Sequence, residues 1–133
     1  MLSKNPAHNQ FLFDIFVTAL EGGIGYWSRC SKYRIWTPNT RTSRGDEVAD
    51  LANFHAVIHT GSCAPEGKGE HRIDRSTVTR AFSRMRSGDV KHLPAEVRKR
   101  HVRAYREHDA GDIDAGAADN IVQIGLFGEV VYG

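Results

Sequence analysis

Cysteine is scarce in this chain: two of its 133 residues, Cys30 and Cys63. So few thiols exclude a small secreted fold stapled by several disulfides. In a reducing compartment both are expected to stay unpaired and to behave as small hydrophobes. Long apolar runs are missing as well, since none approaches the roughly 20 residues that a membrane-spanning helix requires. The first residues lack the charged, apolar, small order of a signal peptide, so neither secretion nor a membrane location is expected. Motifs of established chemistry are absent too. There is no Walker loop, nucleophile elbow, CxxC or HExxH, and GGIGYW has neither the Gly-Lys-Ser/Thr of a phosphate loop nor a strand before it. An excess of one charge is also lacking, with 18 Lys and Arg against 16 Asp and Glu.

What the chain has instead is an ordinary globular composition, 40% hydrophobic and 26% charged, in a length that suits one domain spanning residues 1–133. Its organising stretch is FLFDIFVTALEGGIGYW, Phe11 to Trp27. Asn5 is placed to cap a helix with Pro6 at its first position, where the missing N–H costs nothing. Phe11, Leu12, Ile15, Phe16, Ala19 and Leu20 fall at helical spacing, and Phe13 and Val17 make the other side apolar, which predicts a helix from Pro6 to about Glu21 wrapped by other elements. Gly22 and Gly23 are expected to end it in left-handed backbone, and Gly25 to allow another close approach. The far end of the chain, IVQIGLFGEVVYG, is apolar on nearly every side and thinned by Gly125 and Gly128. It reads as a core helix that finishes in an extended tail.

The blocks ALEGGIGYW and LFGEVVYG resemble those of an uncharacterised family of small bacteriophage and prophage proteins, actinobacterial phages among them. That family pairs an ALEGG-x-x-YW block near the N-terminus with a final VQ-x-x-LFGE-(I/V)-VYG block. The resemblance covers nearly the whole chain, although the middle matches only in pattern. It implies a phage origin, action in the cytoplasm of the infected bacterial host and one fold, and it implies no particular activity.

Between the blocks, SRCSKYRIW reads as a half-buried strand ended by Pro38, and TPNTRTSRGDE as a loop. In FHAVIHT, Phe54, Ala56 and Ile58 alternate with His55, Val57 and His59, the pattern of a strand. After a turn from Gly61 to Gly69, His71 to Ile73 returns antiparallel. Asp74 then caps a helix from Arg75 to Ser87, with Ile73 and Val78 placed as a hydrophobic staple and Gly88 as its left-handed stop. A third helix opens at Pro94, and Asp114 or Asp119 caps the last. The expected fold class is α+β, a small antiparallel sheet of about three strands packed with about four helices.

Four sets of residues carry candidate chemistry. His55, His59 and Cys63 recur every fourth residue, but no fourth ligand is apparent, so no metal and no cofactor is expected. Asp112 and Asp114 lack the remaining ligands of a calcium loop and are read as caps and solvated charges. Ten basic residues against two acidic ones lie between Arg75 and Arg106. Within that belt Arg98, Lys99, Arg103 and Arg106 form a candidate binding surface for a host protein with an acidic face, or for a nucleic acid or nucleotide. Finally, Glu21 and Glu129 sit beside glycines in blocks of large aromatics. If the blocks meet, Glu21, Tyr26, Trp27, Glu129 and Tyr132 are expected to border a ligand or partner cleft. Taken with the phage origin that the resemblance implies, these features lead to the expectation of a non-enzymatic phage accessory protein that inhibits or redirects a host factor, in takeover of the host or against its defences. The alternatives are sequestration of nucleic acid or nucleotide and, more distantly, a hydrolase built on the two glutamates.

Overall fold

The computed structural model describes residues 2–61 and 69–133. Among them are four α-helices, a three-stranded antiparallel sheet and a separate two-stranded hairpin, an α+β arrangement. Helix α1 is Pro6–Thr18, opened by the Asn5 side chain, which accepts from the backbone N–H groups of Ala7 and His8. Phe11, Leu12, Phe13, Ile15 and Phe16 are all buried. Helix contacts therefore surround α1, as an apolar stripe this wide requires.

The helix ends differently from the expectation. Its last apolar residues widen into a π-turn, Ala19–Gly23, closed by the Ile24 N–H donating to the Ala19 carbonyl at 3.0 Å. Neither Gly22 nor Gly23 adopts positive φ. Gly23 is needed for room instead: a Cβ there would lie 2.8 Å from the Ala115 carbonyl oxygen. Gly25 faces open space, so the close approach expected there is not made.

Strand β1 is Ser28–Arg34, followed by β2 (Trp36–Arg41), β3 (Glu47–Ala49), β4 (His55–Thr60) and β5 (Glu70–Asp74). The sheet order is β1-β4-β5. The expected loop from Thr37 onward is in fact the β2–β3 hairpin, tied by Arg41 to Glu47 at 3.2 Å. A run of small polar residues carries no alternation to reveal a strand whose side chains are nearly all exposed. Strand β4 keeps the predicted alternation: Phe54, Ala56, Ile58 and Thr60 are buried, while His55, Val57 and His59 face the other side, half-buried. In the antiparallel register Tyr33 stands opposite Ala56 and Cys30 opposite Ile58, on the core face. Both are nevertheless exposed, because the helical layer covers β4 and β5 and stops short of β1. Strand β1 is thus an exposed edge, not half-buried, and Cys30 is a surface thiol, not a small hydrophobe of the core.

Helix α2 is Arg75–Ser87, with the bounds expected. Asp74 forms a capping box with Thr77, and Gly88 stops the helix at φ +79°. Burial opposes ionisation of Asp74, but hydrogen bonds from Ser76, Arg72 and the backbone N–H groups of Thr77 and Ser76 hold its carboxyl below the ordinary value. Ile73 and Val78, the expected staple, are both fully buried. Helix α3 is Ala95–Glu107 and ends on His108 in left-handed backbone. A short 3-10 turn, Ala110–Asp112, leads to α4, Ala115–Phe127, capped by Asp114. Gly128 ends α4 at φ +81°, and the remaining residues are extended, so the final block is helix first and tail after.

The helices and the inner face of the sheet share one hydrophobic core, centred on Phe11, Phe16, Phe54, Phe82, Ile58 and Ile121. Helix α4 packs chiefly against α2 and the π-turn, and also against α1. Gly125 makes the α2 contact possible, since a Cβ there would run into the backbone of Thr77; the Arg80 Nε donates to the Gly125 carbonyl at 2.8 Å.

Candidate functional site

The two end blocks meet. The π-turn places Tyr26 and Trp27 against α4, and the tail after Gly128 folds back over the same spot. Trp27 and Tyr132 stack with ring centroids 4.9 Å apart and planes 6° from parallel, and Phe127 meets Trp27 edge-on at 5.9 Å. Beneath the rings lies the buried carboxylate of Asp119. Its Oδ1 accepts from Trp27 Nε1 at 2.7 Å and from Gln123 Nε2 at 2.8 Å, and its Oδ2 accepts from the Tyr26 hydroxyl at 2.7 Å. Gln123, fully buried one turn further along α4, faces the tail: its Oε1 accepts from the N–H groups of Val131 and Tyr132, and its Nε2 donates to the Tyr132 carbonyl.

Chemically this is a clasp. The Tyr26 phenol is held above its ordinary value by desolvation and by its hydrogen bond to Asp119, so at neutral pH it is a donor. Its single proton serves either Asp119 or, at 3.1 Å, the Tyr132 carbonyl. Three donors converge on Asp119 and two backbone donors on Gln123. Stacked rings join the two blocks above these bonds, so the arrangement is suited to fastening the C-terminal tail.

Of the five expected cleft residues, Tyr26, Trp27 and Tyr132 belong to this clasp, while the two glutamates lie elsewhere. Glu21 is exposed on the edge of a groove formed with α1 and Trp36. Glu129 pairs with His92 at 3.4 Å and bridges Lys91 through the backbone. No contact joins the two carboxylates among the described residues. Asp119 and Gln123 are the members that sequence reasoning missed. Their signal was available: two polar residues four apart inside an otherwise apolar helix, hence on one face of it. From the sequence, Asp119 is expected only as an alternative to Asp114 for the cap of the last helix.

The basic helix is divided. Arg98 turns inward, its guanidinium donating to the Met85 carbonyl at 3.1 Å, and Arg100 pairs with Asp112 at 2.9 Å. Lys99, Arg103 and Arg106 are exposed, and at spacings of four and three they fall in one row along α3. None of the three has a carboxylate within ion-pair distance among the described residues. Arg86 of α2 lies over the Tyr105 ring at 5.1 Å, on another side of α3.

His55 and His59 share the outer face of β4, where His55 Nδ1 meets the Asn53 carbonyl and His59 Nε2 meets the Ser31 hydroxyl; Cys63 lies outside the described residues. Among the described residues no three His, Cys, Asp or Glu side chains are placed to hold a metal ion together. Asp112 and Asp114 serve as the ion-pair partner of Arg100 and the cap of α4. His101 is buried on α3 with neither ring nitrogen hydrogen-bonded among the described residues, and burial, then the charge of Arg100, hold it below its ordinary pKa, so at neutral pH it is uncharged. No helix among the described residues is long and apolar enough to cross a membrane. Comparison with protein-family models, curated proteins and solved structures finds no match to this chain.

Proposed function

We propose that this chain works by binding: a phage accessory protein that docks the cationic row of α3 on an acidic surface of a host protein and so inhibits or redirects it. The observation that carries the reading is the row itself, Lys99, Arg103 and Arg106, exposed on a helix whose other face is anchored by buried His101 and Ala104. Cations with no carboxylate at ion-pair distance among the described residues, on a firmly packed helix, are available to a complementary surface, which they steer toward and orient upon.

The test is the double variant Lys99→Glu/Arg103→Glu, which spares Arg106 in the last turn, where a negative charge would oppose the helix dipole. Capture from host lysate by the intact protein is compared with capture by the variant, at low and high salt and with and without nuclease. The expected result is loss of a captured host protein in the variant, with unfolding free energy changed by no more than about 1 kcal/mol, the usual worth of exposed charges. Retention of that protein by the variant would refute the reading. Capture that disappears with nuclease, and whose log affinity falls by about 0.9 per phosphate contacted for each log unit of salt, would replace it with nucleic-acid binding.

A further inference from the structure

The groove that Glu21 borders is built differently from the rest of the surface. It runs between α1 with its π-turn and the junction of β1 with β2, and encloses about 400 Å3. Its floor and walls are apolar: Phe13 and Val17 from α1, and Ile35 and Trp36 from the junction. The Trp36 indole, 46% exposed, is held at a tilt against Phe13 with centroids 6.3 Å apart. An indole so exposed yet fixed by a ring beneath it offers a preformed π-face. On the α1 side the rim carries Asp14, from α1, and Glu21, from the π-turn. Neither carboxylate is in an ion pair among the described residues; Asp14 accepts only from the Gln10 side-chain amide at 2.9 Å.

Apolar walls, an open indole face and two unneutralised carboxylates together match one chemistry: a long side chain whose stem is apolar and whose head is cationic. Lysine and arginine lay their methylene stems on apolar surface and keep the charged head at its edge, and an indole face attracts such a cation. We propose that this groove receives an arginine- or lysine-bearing segment of a partner polypeptide, the stem along Phe13, Val17 and Ile35 and the cationic head between Trp36 and the carboxylates of Asp14 and Glu21. The proposal is independent of the α3 row, which has the opposite sign and requires an acidic partner surface.

The chain contains two tryptophans, and each serves the test. Trp36 reports the groove, and Trp27, hydrogen-bonded to Asp119, reports whether the fold is intact. The intact protein is titrated with a capped peptide of alternating leucine and arginine, and in parallel with the same peptide carrying citrulline for arginine, while both indole N–H signals are followed by NMR. The arginine peptide should shift the Trp36 signal saturably and leave Trp27 in place. The citrulline peptide should bind roughly tenfold more weakly, the worth of a cation–π contact together with two exposed charge pairs, and the arginine peptide on the Asp14→Asn/Glu21→Gln variant, which keeps the indole, about fivefold more weakly. Equal binding of the citrulline peptide, or an unchanged affinity in the variant with the Trp27 signal intact, would overturn the proposal. So would a Trp36 signal that moves with protein concentration alone, since the occupant would then be a second copy of this chain. Should the double variant lose the Trp27 signal, Trp36→Leu decides instead, read by peptide affinity: at least a threefold loss supports the proposal, and no loss refutes it.

Discussion

Replacing Asp119 by alanine removes the acceptor shared by Trp27, Gln123 and Tyr26, and the three donors fare differently. The Tyr26 ring is 61% exposed, and its hydroxyl already reaches the Tyr132 carbonyl, so water and that carbonyl replace the lost bond. Gln123 keeps its bond to the Tyr132 carbonyl at 3.0 Å. Trp27, 8% exposed, has no second acceptor among the described residues, so its indole N–H is left buried and unsatisfied. Hydrogen bonds to a charged group contribute about 1.5–3 kcal/mol each, and an orphaned buried donor costs about 1–3 kcal/mol. With one donor orphaned, one partly compensated and one free to find water, the expected loss is about 3–5 kcal/mol. Asp119→Asn keeps a carbonyl oxygen for Trp27 and Gln123 and sacrifices only the Tyr26 bond and the charge, so it should lose about 1–2 kcal/mol. The assay is urea unfolding followed by tryptophan fluorescence and by circular dichroism, each variant compared at constant m-value. For a domain with about 5–15 kcal/mol in total, the alanine variant should be severely weakened and the asparagine variant only moderately so. Equal losses for the two substitutions, or a loss under about 1 kcal/mol for alanine, would show that the clasp does not hold the tail through Asp119.

Two further outcomes are expected from packing and burial. Gly125→Ala should cost about 2–4 kcal/mol in the same unfolding assay even though alanine favours helix by about 1 kcal/mol, because its Cβ would run into the Thr77 backbone; Gly116→Ala, whose Cβ meets only ordinary contacts, should be neutral or slightly stabilising. His101 is held neutral in the fold, with a pKa below the ordinary 6.5. Its contribution to stability is therefore fully present above pH 6.5 and is lost as pH falls through the folded value, since the unfolded chain takes up the proton first. His101→Leu should remove that part of the acid loss in a pH series of urea midpoints. His8 and His71, also held low chiefly by burial, remain in both proteins and leave the comparison intact. An unchanged acid limb would refute the assignment.

Local chemistry already visible along the chain determined much of this protein. Asn5 with Pro6, Asp74 with Gly88, and Asp114 each act within a few residues of where they stand, so the starts of three helices and the stop of one were legible from side-chain oxygens, a fixed φ and a missing Cβ. The alternation in β4 was legible for a related reason, because burial on one face repeats at the period of the element. Elements whose stability comes from neighbours were not. The β2–β3 hairpin has polar, exposed side chains and no periodic signal, and the π-turn owes its shape to the close approach of Gly23 to the start of α4. The site divides in the same way. That the two end blocks belong together was readable from their shared aromatic and glycine content, but which polar groups join them was not. Asp119 lies 92 residues from Trp27 in sequence, and only the packed helix brings its carboxylate beneath the indole. Glu21 and Glu129, alike in their sequence surroundings, face different parts of the surface because one leaves a helix through a π-turn and the other follows a left-handed glycine stop. The direction in which a side chain leaves a helix end is set by backbone geometry that tertiary packing decides.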